Sequence, residues 1–160
     1  MSYFAAALVR PRRGWVAAEL DLDEIQDVEA AVDLLREVEP EADPALLFVE
    51  ADDEFLVVVR LDGAETRVFG SDASFGDESR VGAALLADLE EVDVPDDDDA
   101  DDPELMGRPV GDVDLLADLG VSARDLLALC AHEGMLPSDV MLEVSRKIGS
   151  ADALIELRGE

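Results

Sequence analysis

Cys130 and His132 stand two residues apart in the run LLALCAHEG and are the only cysteine and the only histidine of the chain. A structural zinc site usually takes four nitrogen or sulfur ligands, so this pair is short of a site. On a helix, positions i and i+2 also point to different sides. Cys130 therefore reads as a small apolar residue, and His132 as a cation near a helix C-terminus. A single cysteine forms no internal disulfide.

The second constellation is the segment VDVPDDDDADDPE at 92–104, in which eight of thirteen residues are acidic and none is basic. Asp93 and Glu104 have the spacing of the first and last positions of a calcium-binding EF-hand loop. The register fails inside it. Pro95 falls at the third position, and Asp98 at the sixth, where the sharp turn needs glycine. Repulsion between like charges extends such a run, so it reads as a disordered acidic linker. Elsewhere the 41 acidic residues are too many for any one carboxylate pair to mark a catalytic dyad. No nucleophile elbow, Walker A loop or dinucleotide fingerprint occurs. Neither a cofactor nor a metal is expected.

One basic cluster stands against this background. Arg10, Arg12 and Arg13 fall within four residues, and Trp15 follows them. Arg and Trp are enriched in binding hot spots, so these four residues are the candidate partner surface. A solvated turn, or a tip paired internally with the acidic linker, would account for the same residues.

The elements that must position these groups follow from periodicity. Two apolar runs, Ser2–Val9 and Trp15–Leu20, flank the turn formers Pro11 and Gly14 and predict a β-hairpin. Ile25, Val28, Val32, Leu35 and Val38 line one helical face, with Asp21 and Asp23 suited to its start. Leu46–Glu50 and Phe55–Leu61 predict two further strands, the second central because FLVVVRL is nearly all apolar and rich in β-branched residues. Asp62-Gly63 fits a two-residue turn. It would set Arg60 opposite Glu65, a pairing worth roughly 0.2–1 kcal/mol. Glu65–Phe69 completes the meander, and Ser79 caps a helix running to about Glu90.

The expected fold is thus α+β: an antiparallel sheet of about five strands in ββαβββα order over residues 1–91, the acidic linker at 92–104, and a small helical part at 105–160. In that last part Ser122 and Asp125 make a capping start. Pro137 opens a helix ending before Gly149, and 153–157 is read as a final helix. Helices this short need a packed partner: they bundle together or dock on the sheet.

Charge limits the partners. At a net −29, the surface repels polyphosphate and anionic lipid, so neither direct nucleic-acid binding nor membrane binding is expected. A basic protein would be attracted. The apolar stretch Tyr3–Val9 is too short to span a bilayer, and a cytoplasmic location is expected.

The opening MSYFAAALVRPRRGWVAAELDLDEIQDVEAAVDLLRE, the hairpin LLFVEADDEFLVVVRLDG with RVFGSD after it, and the tail LGVSARDLLALCAHEGMLPSDVMLEVSRKIG resemble the actinobacterial family of tRNA adenosine deaminase-associated proteins. The eleven arginines against a single lysine suit a GC-rich genome. The resemblance implies a link to the enzyme that converts adenosine to inosine in tRNA, and so a non-catalytic accessory or interaction protein. It does not imply deamination: zinc deaminases need H-x-E and C-x-x-C, whereas His132 is followed by Glu133 and Gly134, and Cys130 stands alone. The alternative expectation is a small-molecule-binding or regulatory module using the sheet, with a pocket beside Trp15 or Phe48.

Overall fold

The structure is a computed structural model that describes residues 3–10, 15–22, 25–38, 45–51, 55–62, 65–87, 89–90, 109–131 and 136–158. Six strands form one antiparallel sheet: β1 (Tyr3–Val9), β2 (Val16–Glu19), β3 (Ala45–Ala51), β4 (Phe55–Asp62), β5 (Glu65–Gly70) and β6 (Val110–Gly111). Their spatial order is β2-β1-β3-β4-β5-β6. The chain leaves the β1–β2 hairpin at one edge, passes through helix α1 (Val28–Val38), and returns on the other side of β1 as β3. The α+β class and the antiparallel meander are as the periodicity predicts. The sixth strand comes from beyond the acidic segment, which lies outside the described residues.

The two central strands explain the layering. Every residue of β3 except Glu50, and every residue of β4 except Asp62, is buried. A strand with no polar face needs cover on both sides, because successive side chains point to opposite faces. On the first face Ala7, Leu47, Val49, Val57 and Val59 pack with Leu35 of α1 and Leu85 of helix α3 (Arg80–Leu86). On the second face Leu8, Leu46, Phe48, Leu56 and Val58 pack with Leu126, Met141 and Leu154. Those three belong to helices α4 (Ala123–Ala131), α5 (Pro137–Ile148) and α6 (Ala151–Arg158). The C-terminal helices therefore dock on the sheet, the second of the two arrangements open to them.

Local rules hold at most element ends. α1 begins later than its apolar stripe: Asp27 accepts from the Ala30 N–H at 2.9 Å, Asp21 lies upstream of the helix, Asp23 lies outside the described residues, and Ile25 is buried just upstream. Ser79 caps α3, accepting from the Gly82 N–H. Ser122 accepts from the Asp125 N–H at the start of α4. Asp139 accepts from the Leu136 N–H at the start of α5, where Pro137 fills the first turn.

Two departures from expectation have physical causes. The helix foreseen from Ser79 to about Glu90 is α3 and ends at Leu86, and a further short helix, α2 (Ser74–Glu78), precedes it. Phe75 of α2 stacks on Phe55 with ring centroids 5.0 Å apart, which pins the short helix to the first face. The β4–β5 register is also shifted: Asp62 faces Glu65 and Arg60 faces Arg67, rather than Arg60 facing Glu65. Residues 63 and 64, which follow Asp62, lie outside the described residues. In this register Asp62 stays in the strand, where its carboxylate serves both arginines.

The corner between α2 and α3 is closed tightly. A Cβ built on Gly82 would lie 2.3 Å from Phe75 O and 2.8 Å from the Phe75 ring. Gly82→Ala is expected to destabilise the protein by about 1–3 kcal/mol through this overlap, read as a lowered midpoint in denaturant unfolding. An unchanged midpoint would show that the corner opens freely.

Candidate functional site

Two places among the described residues stand out as candidates. The first is the edge where β2 meets α6. Trp15 and Ala17 point to the same face of the sheet as Leu8 and pack at the margin of the second core. Ala153 and Leu157 of α6 face them across a groove of about 540 Å³, and Asp152 and Glu156 complete its wall. Asp152 and Glu156 are one helical turn apart, so both look the same way. The Arg10 guanidinium lies over the Trp15 ring, 5.5 Å from its centroid, a cation–π contact worth about 0.5–1 kcal/mol at an exposed site. Of the four residues singled out by sequence, Arg10 and Trp15 are thus brought together. Arg12 and Arg13 lie outside the described residues. The helical wall with its two carboxylates was missed, although the i, i+4 spacing of Asp152 and Glu156 on an otherwise apolar segment was its signal.

The second place is an ion cluster beneath the C-terminal cover. Arg60 is the one charged residue in the apolar run of β4 and is only 5% exposed. Its Nη1 donates to Leu115 O at 2.6 Å. Nη1 and Nη2 together grip both carboxylate oxygens of Asp118. Asp118 sits in a 3₁₀ turn at Ala117–Leu119 that follows β6. The Arg60 Nε is 2.8 Å from Asp62 Oδ2, within ion-pair range but without a hydrogen-bonding direction. Arg67 Nη2 reaches the same oxygen at 3.4 Å. Two arginines opposite one another on adjacent strands would repel; Asp62 and Asp118 make the group neutral.

The electrostatic consequences follow from these contacts. Hydrogen bonding by Asp118 holds the Arg60 guanidinium above its usual value, against the opposing effect of burial. The same bond from Arg60 holds the Asp118 carboxyl below the ordinary carboxylate range. The arrangement is a clamp between sheet and cover. Cys130 packs partly buried against the second core, and loss of hydration pushes its thiol up to about 12. It is therefore a neutral thiol and not a nucleophile. His132 lies outside the described residues. Among the described residues, no group of three or more His, Cys, Asp or Glu side chains is placed to hold a metal ion, and no helix is long and apolar enough to cross a membrane.

Fold and site define an acidic α+β protein with a six-stranded sheet covered on both faces and an aromatic groove at one edge. The family model described as Rv3753c-like tRNA adenosine deaminase-associated protein matches residues 3–151, and the chain belongs to that family. Protein Rv3753c of Mycobacterium tuberculosis (strain ATCC 25618 / H37Rv) is 30% identical over 152 residues, which cover 94% of this chain and 84% of the relative. No solved structure matches the chain. The family name states an association with tRNA adenosine deaminase and not deamination itself.

The Asp118 carboxylate gives the clamp a pH dependence. A carboxyl held below its ordinary value stabilises the fold wherever it is ionised, above about pH 4. That contribution is lost as pH falls through the folded value. Asp118→Asn is expected to lower Tm at pH 7, and the gap to the natural protein should close as pH drops towards 3. Equal gaps at both pH values would mean that the Arg60–Asp118 bond contributes nothing to folding.

Proposed function

We propose that this protein is a non-catalytic accessory partner of tRNA adenosine deaminase in the cytoplasm, drawn to the enzyme by charge. The observation that carries the reading is a net −29 on a chain whose family is described as deaminase-associated. An enzyme that acts on tRNA must present cationic surface to phosphate. A strongly acidic protein is complementary to that surface and reaches it by electrostatic steering. Bound there, it either recruits the enzyme or competes with tRNA as a polyanion. A deaminase role for the chain itself is disfavoured by its residues, since one cysteine cannot supply the C-x-x-C half of the zinc site.

Arg10, Arg12, Arg13 and Trp15 are proposed as a contact surface beside the acidic one, because Arg and Trp anchors carry a large share of binding energy in interfaces. The alternative of a small-molecule module on the sheet rests on the groove beside Trp15. Phe48 offers it nothing, since that ring is fully buried in the second core.

Purified deaminase of the same organism should retain this protein in a pull-down at low salt. Retention should fall steeply between about 50 and 500 mM salt as surface charges are screened, and tRNA should displace it. Failure to associate at the lowest salt would remove the proposal's main support.

A further inference from the structure

The β2 edge carries an inference that does not depend on which protein the partner is. Among the described residues β2 pairs only with β1, so one of its sides has no neighbouring strand there. The register of the pair shows which backbone groups face out. The Leu20 N–H donates to Ala5 O, and the pairing continues as Ala7 with Ala18 and Val9 with Val16. In an antiparallel ladder, hydrogen-bonded pairs alternate with non-bonded ones. The N–H and C=O groups of Val16 and Ala18 are therefore turned to β1. Those of Ala17 and Glu19 are turned to the open side.

Natural edges are usually blunted by lysine, proline or a bulge. β2 reads Val-Ala-Ala-Glu: its four-residue length and Glu19 blunt it in part, but it has neither lysine nor proline, and Val16 is 47% exposed. The open side also adjoins the groove. Trp15 and Ala17 form one wall, and α6 forms the other with Asp152 and Glu156. Neither carboxylate makes an ion pair or hydrogen bond among the described residues. Side chains at i and i+4 on a helix are about 6 Å apart, and same-face residues of a strand are about 7 Å apart. Two cations at alternate positions of an added strand thus match the two carboxylates.

We propose that the β2 edge and the adjoining groove form a docking site for an extended segment of a partner protein with basic residues at alternate positions. Backbone bonds to Ala17 and Glu19 would add the segment to the sheet, and its Arg or Lys side chains would face Asp152 and Glu156. This is strand addition with charge selection, in which main-chain bonds give affinity and the alternating side chains give specificity.

Trp15 is the only tryptophan of the chain, so its emission reports the site directly. The full-length protein is titrated with an acetylated, amidated octapeptide alternating Arg and Val, in buffer of physiological ionic strength. The same peptide N-methylated at every residue keeps the charge but has no backbone N–H left to pair on either edge. Saturable binding of the first peptide is expected, weaker by about tenfold or more for the N-methylated one. Ala17→Pro removes an outward-facing donor and leaves the β1 ladder intact, as proline on an edge strand allows. It should abolish binding with an unchanged circular dichroism spectrum. Asp152→Asn/Glu156→Gln should weaken it about tenfold. Equal affinity for the two peptides would reduce the effect to net charge and overturn the proposal, whatever the behaviour of the variants. No binding at all, or a dimer in sedimentation that Ala17→Pro dissociates, would overturn it as well, the latter by assigning the edge to a second copy of the chain.

Discussion

The two-sided apolar character of β3 and β4 is the constraint on which the rest of the structure depends. A sheet whose central strands bury both faces is unstable with one cover, because hydrophobic burial is the dominant favourable term in folding. Helix α1 with α2 and α3 covers the first face. The second is left to whatever follows in the chain, and residues 109–158 supply it. The short helices there gain in return the partner that isolated helices of their length lack. β6 extends the sheet by two residues, and Gly111 makes this close approach feasible: its φ is +92°, and a Cβ at that position would lie 2.0 Å from Val68 O.

Arg60 places a charge in this apolar layer, and its surroundings decide whether it is tolerated. A buried cation without a partner destabilises strongly, whereas a bidentate carboxylate and a carbonyl satisfy most of its donors. Asp62 of β4 is a partner within the sheet, but Asp118 and Leu115 O come from the C-terminal part, so the bidentate pair and the carbonyl bond form only when the cover is in place. The clamp thus specifies where the cover sits on the sheet, while the apolar contacts supply most of the driving force. The groove depends on the same docking. One wall is β2 and the other is α6, so the candidate site exists only in the covered form.

Much of this was legible in the chain. FLVVVRL reads as a central strand because β-branched residues without polar alternation fit a layer buried on both sides. The Val28, Val32 and Leu35 spacing marks the inner face of α1, and Ser79, Ser122 and Pro137 mark helix starts by chemistry that acts within three residues. Longer-range features were not legible. Arg60 and Asp118 are 58 residues apart, and nothing local distinguishes Asp118 from forty other acids. The β4–β5 register turned on Asp62 being needed in the strand by two arginines, which Asp-Gly turn propensity alone does not convey. Bundling and docking of the C-terminal helices bury similar apolar stripes, so the choice between them rests on the unsatisfied second face of the sheet. The Arg10–Trp15 corner was visible as composition, but its groove needed α6.

The central claim is that sheet and C-terminal cover form one cooperative structure. Equilibrium unfolding of the full chain in guanidinium chloride, followed by Trp15 fluorescence and by far-ultraviolet circular dichroism, tests it most directly. Trp15 lies at the margin between sheet and cover, whereas the dichroism reports helices and strands throughout. The account predicts one sigmoidal transition with coincident midpoints for both probes. A Trp15 transition at clearly lower denaturant, with most of the dichroism signal still in place, would contradict it.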